Sequence, residues 1–433
     1  MRYLRRCPAL LAGVAAMAIS QQALAVDITA GDWTFSVNGN INANLTHTNC
    51  ADHVQPSGGL LCTRTDPSQG DRSASTVNTG LLPTAIVFGI STTQSGYNLK
   101  AVFGLYPAIT TNAGANPNGV SVPGSEPLGL STSQIDTRQV YMQITKPGYG
   151  SVKAGRDFGL FGFDAIINDM TLFGVGVEGF MAPAPSNTSL GSIGYGYIYT
   201  DTLSQLDYTT PTFLGGLTAT IGVYSPLNQF DLSGHSAASN GTAKSVPGVH
   251  EKIRYDFDVS GFKGFISTSG IFQRNTGLVN PAGTFLPTNN KMSFGVDLTT
   301  VVGYGPISVL LSGYDARGLG TTALYFDGYD ATGHARRSWG YLAQTTYQLT
   351  STVKLGVNYG VSRLGLGSGD RILGNFGSLV RENSKVTTGV YWQALPNLKL
   401  LFEGTRSFAK AQNRTLGLET ASWTFDTGLF LDF

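Results

Sequence analysis

The side chains with the most evident chemistry in this chain are its five histidines and three cysteines. The histidines lie in or beside polar, turn-rich segments that predict loops: His47, His53, His235, His250 and His334. Neither the G-x-S-x-G motif of hydrolases nor the H-E-x-x-H motif of zinc enzymes occurs. A lone histidine in a loop is more often solvated than catalytic, so no catalytic or metal site is predicted.

One further motif suggests nucleotide chemistry, because residues 174–179 match G-x-G-x-x-G. In dinucleotide-binding folds this motif follows a strand and opens a helix whose N-terminus receives the pyrophosphate. Pro183 and Pro185 follow here instead and prevent such a helix. We expect these glycines to let a loop pack closely within the fold, without a nucleotide or other cofactor.

The N-terminus has the features of an export signal. Arg2, Arg5 and Arg6 precede a short apolar run, and Ala23 to Ala25 fits an A-x-A cleavage site. The run is too short to span a bilayer, which argues against a retained anchor helix. We predict that residues 1–25 are a removed signal peptide and that residues 26–433 form one domain.

The mature chain retains two cysteines, Cys50 and Cys62, on either side of a short loop that contains Gly and Pro. Thiols of exported proteins meet oxidising conditions, which favours a disulfide that staples an outer loop. Two free thiols or half of a metal site are the alternatives. His47 and His53 lie close in sequence, but no Cys/His set completes a zinc site.

Composition disfavours a helical protein and a nucleic-acid partner. Charged residues make up 13% of the chain, against about 25% in typical globular proteins, and Gly (56), Tyr (19) and Phe (23) are abundant. Loss of the signal peptide lowers the 28 basic residues to 25, against 27 acidic ones, for a formal charge of −2. Such a charge gives no general attraction to nucleic acid.

Period-two alternation is strongest in the last eleven residues. Trp423, Phe425, Leu429 and Leu431 share one parity with the terminal Phe433, and mostly polar residues occupy the other. Residues 33–45, 97–105 and 353–359 repeat the pattern. A soluble sandwich shows such alternation too, but a strand between lipid and a water-filled lumen requires it. No mature segment has the roughly 18 apolar residues of a membrane helix.

Connections between these segments alternate between short and long, as in membrane barrels. Short turns are predicted near residues 94–96, 146–148, 260–261, 303–306, 349–351 and 395–397. Long loops are predicted at 48–79, 108–133, 158–198, 227–248, 275–290, 316–334 and 364–382. The sequence therefore predicts an all-β fold, a transmembrane antiparallel β-barrel of about sixteen strands, with fourteen or eighteen as alternatives.

The chain resembles the general trimeric porins of Gram-negative outer membranes. The similarity is carried by the segments 137–141 and 149–156, by Asp157-Phe-Gly followed by Phe163-Asp164-Ala-Ile, and by the segment 206–216. It implies a homotrimer in outer-membrane lipid whose third loop folds into the lumen. It also implies that Phe433 is the assembly signal for the barrel-insertion machinery.

In the resembled family, acidic residues on the third loop face basic residues on the wall and select small hydrophilic solutes. The resemblance places seven residues at this constriction: Arg138, Arg156, Asp157, Asp164, Asp169, Glu178 and Asp201. A charged constriction in a low-dielectric wall focuses the field on passing ions. The alternatives are that a wall arginine only pairs with a neighbouring carboxylate and that a loop acid is simply solvated.

The chain departs from the family pattern at two basic positions, where Thr84 and Asp201 stand. With fewer wall cations facing the loop acids, we expect a weak preference for cations. The predicted function is passive diffusion through a water-filled pore in the outer membrane, without enzymatic activity. A structural or adhesive barrel whose loops bind a partner is the main alternative, and an outer-membrane barrel hydrolase is a weaker one.

Overall fold

The computed structural model describes residues 26–51, 56–62, 72–109, 135–178, 188–239, 245–287, 291–374, 376–416 and 418–433. The predicted signal peptide, residues 1–25, lies outside this part of the chain. Within the described ranges, no helix has both the length and the apolar character needed to cross a membrane.

Strands dominate the described chain, because the alternating segments suit the pleat and Gly-containing turns separate them. The strands are β1 Val26–Ala30, β2 Trp33–Cys50, β3 Ser73–Asn78, β4 Ala85–Gln94, β5 Tyr97–Pro107, β6 Ile135–Lys146, β7 Gly150–Phe158, β8 Thr202–Thr209, β9 Leu217–Tyr224, β10 Ala238–Ser239, β11 Gly248–Val259, β12 Phe262–Asn275, β13 Leu278–Val279, β14 Lys291–Tyr304, β15 Ile307–Arg317, β16 Arg337–Gln348, β17 Val353–Leu364, β18 Val380–Leu395, β19 Leu398–Ala411 and β20 Glu419–Asp432. The helices are α1 Phe163–Asn168 and α2 Ser368–Leu373, with 3-10 turns at Met170–Leu172 and Arg414–Leu416.

Sixteen of these strands close into an antiparallel barrel, which confirms the predicted fold. The ring runs through β2, β4 to β9, β11, β12 and β14 to β20, and returns to β2. Closure is visible at Asn40, which is in register with Ala85 on β4 and with Asp432 on β20. A closed barrel leaves no unpaired edge in the membrane, where backbone groups have no water to bond.

Two short strands pair with β2, the strand at which the barrel closes. Strand β1 pairs with the first half of β2, beginning at Val26 opposite Val37, in line with the end of β20. Strand β3 pairs with the second half of β2 on the side where β4 covers the first half. Strands β10 and β13 form a separate ribbon between two loops.

The predicted parity of the strands is confirmed. On β20, Trp423, Phe425 and Leu429 are exposed on the outer face, while Thr424 and Asp426 are buried on the lumen side. On β2, Ile41 and Leu45 point outward, opposite a row of buried asparagines that includes Asn42 and Asn44. The outer face is therefore suited to hydrocarbon and the inner face to water.

The connections also follow the prediction, with short turns at one end and long loops at the other. The long connections include a first loop (residues 51–72), a third loop (159–201) and a sixth loop (318–336). An eighth connection, residues 412–418 between β19 and β20, was not separated by the sequence analysis. Short turns mark the periplasmic end of such barrels, and long loops mark the external end.

The largest apolar cluster lies where the loops meet inside the barrel. It joins Leu60 and Leu61 of the first loop to Ile193 and Tyr195 of the third loop. The cluster includes the predicted disulfide, Cys50–Cys62, whose Cα atoms are 6.0 Å apart. The bridge ties the first loop to the end of β2, while Leu60 and Leu61 pack that loop against the third.

Candidate functional site: the pore constriction

The third loop enters the barrel, as predicted. Backbone N–H groups of the loop fix it to side chains of the wall. The Gly162 N–H donates to Asp297 on β14 at 2.6 Å, and the Met170 N–H donates to Gln344 on β16 at 2.7 Å. Further along, Gly196 N–H donates to Ser362 on β17 at 2.9 Å. These bonds hold the loop at membrane depth, where it narrows the lumen.

Asp164 on α1 is the predicted acid with the clearest ionic role. Its carboxylate lies 3.3 Å from Lys252 and 3.3 Å from Arg254, both on the lumen face of β11. Burial raises the pKa of Asp164, but the two cations outweigh it, and the net pKa lies below the ordinary value. Asp164 therefore stays ionised and joins the loop to two wall cations.

Asp169 has a different role, because it is buried and its oxygens bind other loop and wall groups. It accepts hydrogen bonds from the Thr171 N–H at 3.0 Å, from Asn358 at 3.2 Å and from the Tyr197 hydroxyl at 2.8 Å. The first bond caps the 3-10 turn that follows. Asp169 thus shapes the loop rather than facing the open lumen.

Glu178 fastens the far end of the described loop segment to the opposite wall. Its carboxylate accepts hydrogen bonds from Thr46 and Thr48 on β2, at 3.3 and 2.5 Å. Thr76 and Asn78 on β3 donate to it at 2.6 and 3.0 Å. Such a set of donors stabilises a carboxylate at a fixed place, so Glu178 also holds the loop in position.

The wall contributes a matching anchor, Glu403 on β19. Its carboxylate accepts the N–H groups of Val175 and Gly176 at 3.1 and 2.8 Å and the Tyr391 hydroxyl at 2.6 Å. A Cβ at Gly174 would lie 2.3 Å from this carboxyl group. The first two glycines of the G-x-G-x-x-G motif therefore permit close packing, as expected; Gly179 is outside the described residues.

A β-bulge decides the direction of Arg138. Gly104 on β5 pairs with Gln139, but the next residue pairs with Thr137, so Arg138 is the extra residue of β6. As a result Arg138 and Gln139 are both buried although they are consecutive. Arg138 binds Asp136 at 2.8 Å and lies 5.4 Å from the centre of the Tyr106 ring.

Arg156 lies on the outer face of the barrel wall. It is in register with Val140, which is exposed on the outer face, and it has the parity of the outward Val152. Its guanidinium donates to Thr202 at 3.0 Å. This placement does not support a lumen role for Arg156, because regular pairing on β7 gives alternate residues opposite faces.

Asp201 lies at the end of the third loop with a positive φ of 58°. Its side chain accepts the Thr202 N–H at 2.6 Å, and burial raises the pKa of its carboxyl group despite the charges of Arg156 and Arg138. Thr84, at the other departure from the family pattern, accepts the Asn42 N–H at 3.2 Å. Both residues have local structural partners.

Asp157 points into the lumen and belongs to a network that the sequence analysis missed. It accepts hydrogen bonds from Gln139 and Lys153, each at 2.8 Å, and Lys153 also lies 3.5 Å from Asp207 on β8. Charges of alternating sign thus line one side of the lumen next to the loop.

Lys252 and Arg254 were also missed, although a signal was available. They stand with Asp256 on one parity of β11, which is rare for a strand that otherwise faces hydrocarbon. Among the described residues, no group of three or more His, Cys, Asp and Glu side chains is placed to hold a metal ion.

A comparison with protein families gives a match over nearly the whole chain. Residues 9–400 match the model of the Gram-negative porin family. The chain belongs to the Gram-negative porins. No curated protein sequence matches it. This porin is an outer-membrane channel for passive diffusion of small hydrophilic solutes, narrowed by its third loop. Family and fold indicate a channel rather than an enzyme.

Solved structures similar to this porin share its fold at low identity. The outer membrane channel DcaP of Acinetobacter baumannii is 12% identical, with a TM-score of 0.65 over 94% of this chain and 99% of that one. An anion-selective porin from Comamonas acidovorans is 13% identical, with a TM-score of 0.56 over 93% and 100%. The in-vitro folded trimer form of OmpT from Vibrio cholerae is 10% identical, with a TM-score of 0.50 over 93% and 99%.

Above the third loop, this porin has a second inward layer made by the sixth loop. The Tyr199 N–H donates to the Thr322 carbonyl at 2.8 Å, and Leu319, Leu324 and Tyr325 of the sixth loop pack in one cluster with the third. The buried Arg336 then ties this layer outward through Asp370, at 2.7 Å, to the helix α2. External loops therefore support the constriction from above.

Proposed function

We propose that the selective part of this pore lies between α1 of the third loop and the wall formed by β7, β8 and β11. The observation that carries the proposal is the ion pairing of Asp164 with both Lys252 and Arg254 at 3.3 Å. Lys153 and Asp207 supply the facing charges. Asp169, Glu178 and Arg156 do not belong to this set, because the first two anchor the loop and the third faces outward.

Charges of both signs at one level give a weak ion preference. The expectation of a cation preference depended on missing wall cations at the positions of Thr84 and Asp201. Lys252 and Arg254 supply two cations from another strand, and this supports a nearly neutral constriction instead. Opposite charges across a narrow lumen still orient dipolar solutes, which favours small hydrophilic molecules.

Reconstitution in planar bilayers tests this proposal. Purified, folded protein should give discrete conductance steps, and reversal potentials in a salt gradient should lie near zero. Channels with a strong preference for either ion would contradict the charge balance at the constriction. Folded protein that gives no conductance at any voltage or salt concentration would contradict the pore itself.

The state of assembly and the processing of the chain belong to the same proposal. We infer a homotrimer, since Arg156 on the outer face of β7 would be costly against lipid but acceptable against a neighbouring subunit. The trimer form of OmpT agrees with this inference. We further infer that residues 1–25 are removed, that residues 26–433 act as one domain in outer-membrane lipid, and that the barrel-assembly machinery recognises Phe433.

A further inference from the structure

Two lysines lie on the lumen face of the wall beneath the third loop, toward the periplasm. Lys354 follows the turn between β16 and β17, and Lys399 follows the turn between β18 and β19. Both are half-buried and have the inward parity of their strands, which places their side chains on the lumen face. Neither residue belongs to the constriction described above.

Aromatic rings hold both ammonium groups. The Lys399 Nζ lies 4.9 Å from the centre of the Phe173 ring and 5.0 Å from that of Phe430. The Lys354 Nζ lies 5.4 Å from the Tyr391 ring. Phe173 belongs to the third loop and packs on Phe430 at 4.6 Å between ring centres, so loop and wall together build the site.

Neither lysine forms an ion pair within the described part of the chain, where no carboxylate lies within 4.0 Å of either ammonium group. The two lysines stand on strands that flank β18, with Lys354 in register with Tyr391 and Lys399 in register with Gln393 of that strand. Asp432 lies two residues beyond the register partner of Lys399 on β20 and does not pair with it. Cation–π contacts stabilise an ammonium group but leave its charge in place. Strands two apart in a sheet lie about 10 Å apart, which is about one screening length at 0.1 M salt, so an anion between the two ammonium groups is attracted by both.

We propose that Lys354 and Lys399 form a binding site, on the periplasmic side of the third loop, for small oxyanions that carry two negative charges. Phosphate and carboxylate groups share this chemistry, since both offer several acceptor oxygens to an ammonium group. One divalent anion neutralises both lysines at once and replaces their repulsion by two attractions. The proposal rests on the proposed pore function, because the site opens only onto the lumen.

Block of single channels by added anions is the test. Inorganic phosphate and malonate at about pH 8, where both carry two negative charges, serve as the phosphate and carboxylate probes, with glucose as a neutral comparison. The measurement belongs at about 0.1 M salt, where the screening length is about 10 Å, rather than at 1 M, where it is about 3 Å. Because the site lies at one end of the pore, block by a probe on both sides should be stronger at one voltage polarity.

Charge-removing variants identify the site. Lys354→Gln and Lys399→Gln should each weaken block about fivefold, the double variant should abolish its voltage asymmetry, and Lys399→Arg should retain it. Lys146→Gln is the matched control, since Lys146 also lies within 5.1 Å of two rings, Tyr97 and Tyr149, but on the outer face. Malonate block without phosphate block, or the reverse, would support the site and show which oxyanion it accepts.

Failure of this inference is distinguishable from failure of the pore. Open-channel conductance without a probe reports folding and the pore in every variant. If the channel conducts but the double variant is blocked like the wild type, the lysines are not an anion site. Equal loss of block in Lys146→Gln would also overturn the proposal, because the weaker block would then follow from the net charge of the protein and not from a site.

Discussion

Asp164 and Lys252 lie 3.3 Å apart inside the barrel, one on the inward loop and the other on the lumen face of strand β11. Arg254 lies at the same distance from Asp164 on its other side. The carboxylate is almost completely buried, and its pairing with two cations keeps it ionised. This arrangement makes the loop part of the electrostatics of the wall as well as a steric barrier.

Replacement of Asp164 by Asn should shift selectivity toward anions, because Lys252 and Arg254 then face the lumen without their shared carboxylate. The loop should also lose about 1–3 kcal/mol of local stability. Salt-gradient reversal potentials measure the shift. Asp256→Asn, at the exposed end of the same face of β11, is the matched control and should shift the potential less.

Lowering the pH should reproduce this shift in ion selectivity in the wild type. The net pKa of Asp164 lies below its ordinary value of about 3.8, so its ionised form favours the folded loop. That stability is present above the ordinary pKa and is lost as the pH falls through the lowered one. The difference in reversal potential between the wild type and Asp164→Asn should therefore stay constant from neutral pH to about pH 4 and disappear only below that. The difference removes the titration of the other lumen carboxylates, and its loss already at pH 6 would contradict the pairing.

Two neighbouring cations on β7 should behave differently on neutralisation. Lys153→Gln should shift selectivity toward cations, because Lys153 faces the lumen between Asp157 and Asp207. Arg156→Gln should leave the reversal potential unchanged, because Arg156 faces outward, but it should weaken the proposed trimer. Conductance and native mass spectrometry of the same preparations measure both effects. A selectivity shift in Arg156→Gln would place this side chain in the lumen.

Loss of the Glu403 anchor should release the third loop. Glu403→Gln replaces one of the two acceptor oxygens by an amide donor, so either the N–H groups of Val175 and Gly176 or the Tyr391 hydroxyl lose their buried acceptor, at a cost of about 1–3 kcal/mol. We expect a noisier channel with frequent partial closures. The control is Glu382→Gln on the neighbouring strand, since Glu382 binds Arg363 on the outer face. This variant should show no added current noise. Equal noise in both variants would mean that general destabilisation, not the anchor, is responsible.

Reduction of the Cys50–Cys62 bridge should free the first loop but leave the barrel intact. In the chain-entropy model, closing a loop of this length contributes about 3 kcal/mol. Leu60 and Leu61 would then leave the cluster formed with the third loop, so limited proteolysis should cut the first loop faster. The barrel strands do not depend on the bridge, and circular dichroism should stay β-rich. Free thiols titrated in the unreduced folded protein would exclude the bridge.

Deletion of Phe433 should impair assembly in cells more than refolding in detergent. The backbone of Phe433 exchanges two hydrogen bonds with Gly39, at 2.8 and 3.0 Å, and its ring is exposed on the outer face. The proposed recognition by the assembly machinery would use the exposed ring, whereas packing uses mainly the backbone pair. Phe433→Ala retains that pair and separates the two roles. Equal losses in cells and in detergent would assign Phe433 to packing.

Residues close in sequence were sufficient to predict the barrel. Trp423 to Phe433 alternate because one face of a strand meets lipid and the other meets water, and this constraint acts on every second residue. Turn residues then separate most strands, which placed the number of crossings near sixteen, although the connection at residues 412–418 was not separated. The Cys50–Cys62 bridge was predictable for a similar reason, since the two cysteines flank one short loop.

The partners of the loop acids required the tertiary structure. Asp164 and Lys252 are 88 residues apart, and no local pattern states which strand of a closed ring an inward loop will touch. Arg138 turns inward only because one bulge against Gly104 shifts its parity, and Arg156 turns outward because β7 pairs without one. Strand periodicity is a local property of the chain, whereas the register of pairing and the contacts of the loop depend on closure of the whole barrel.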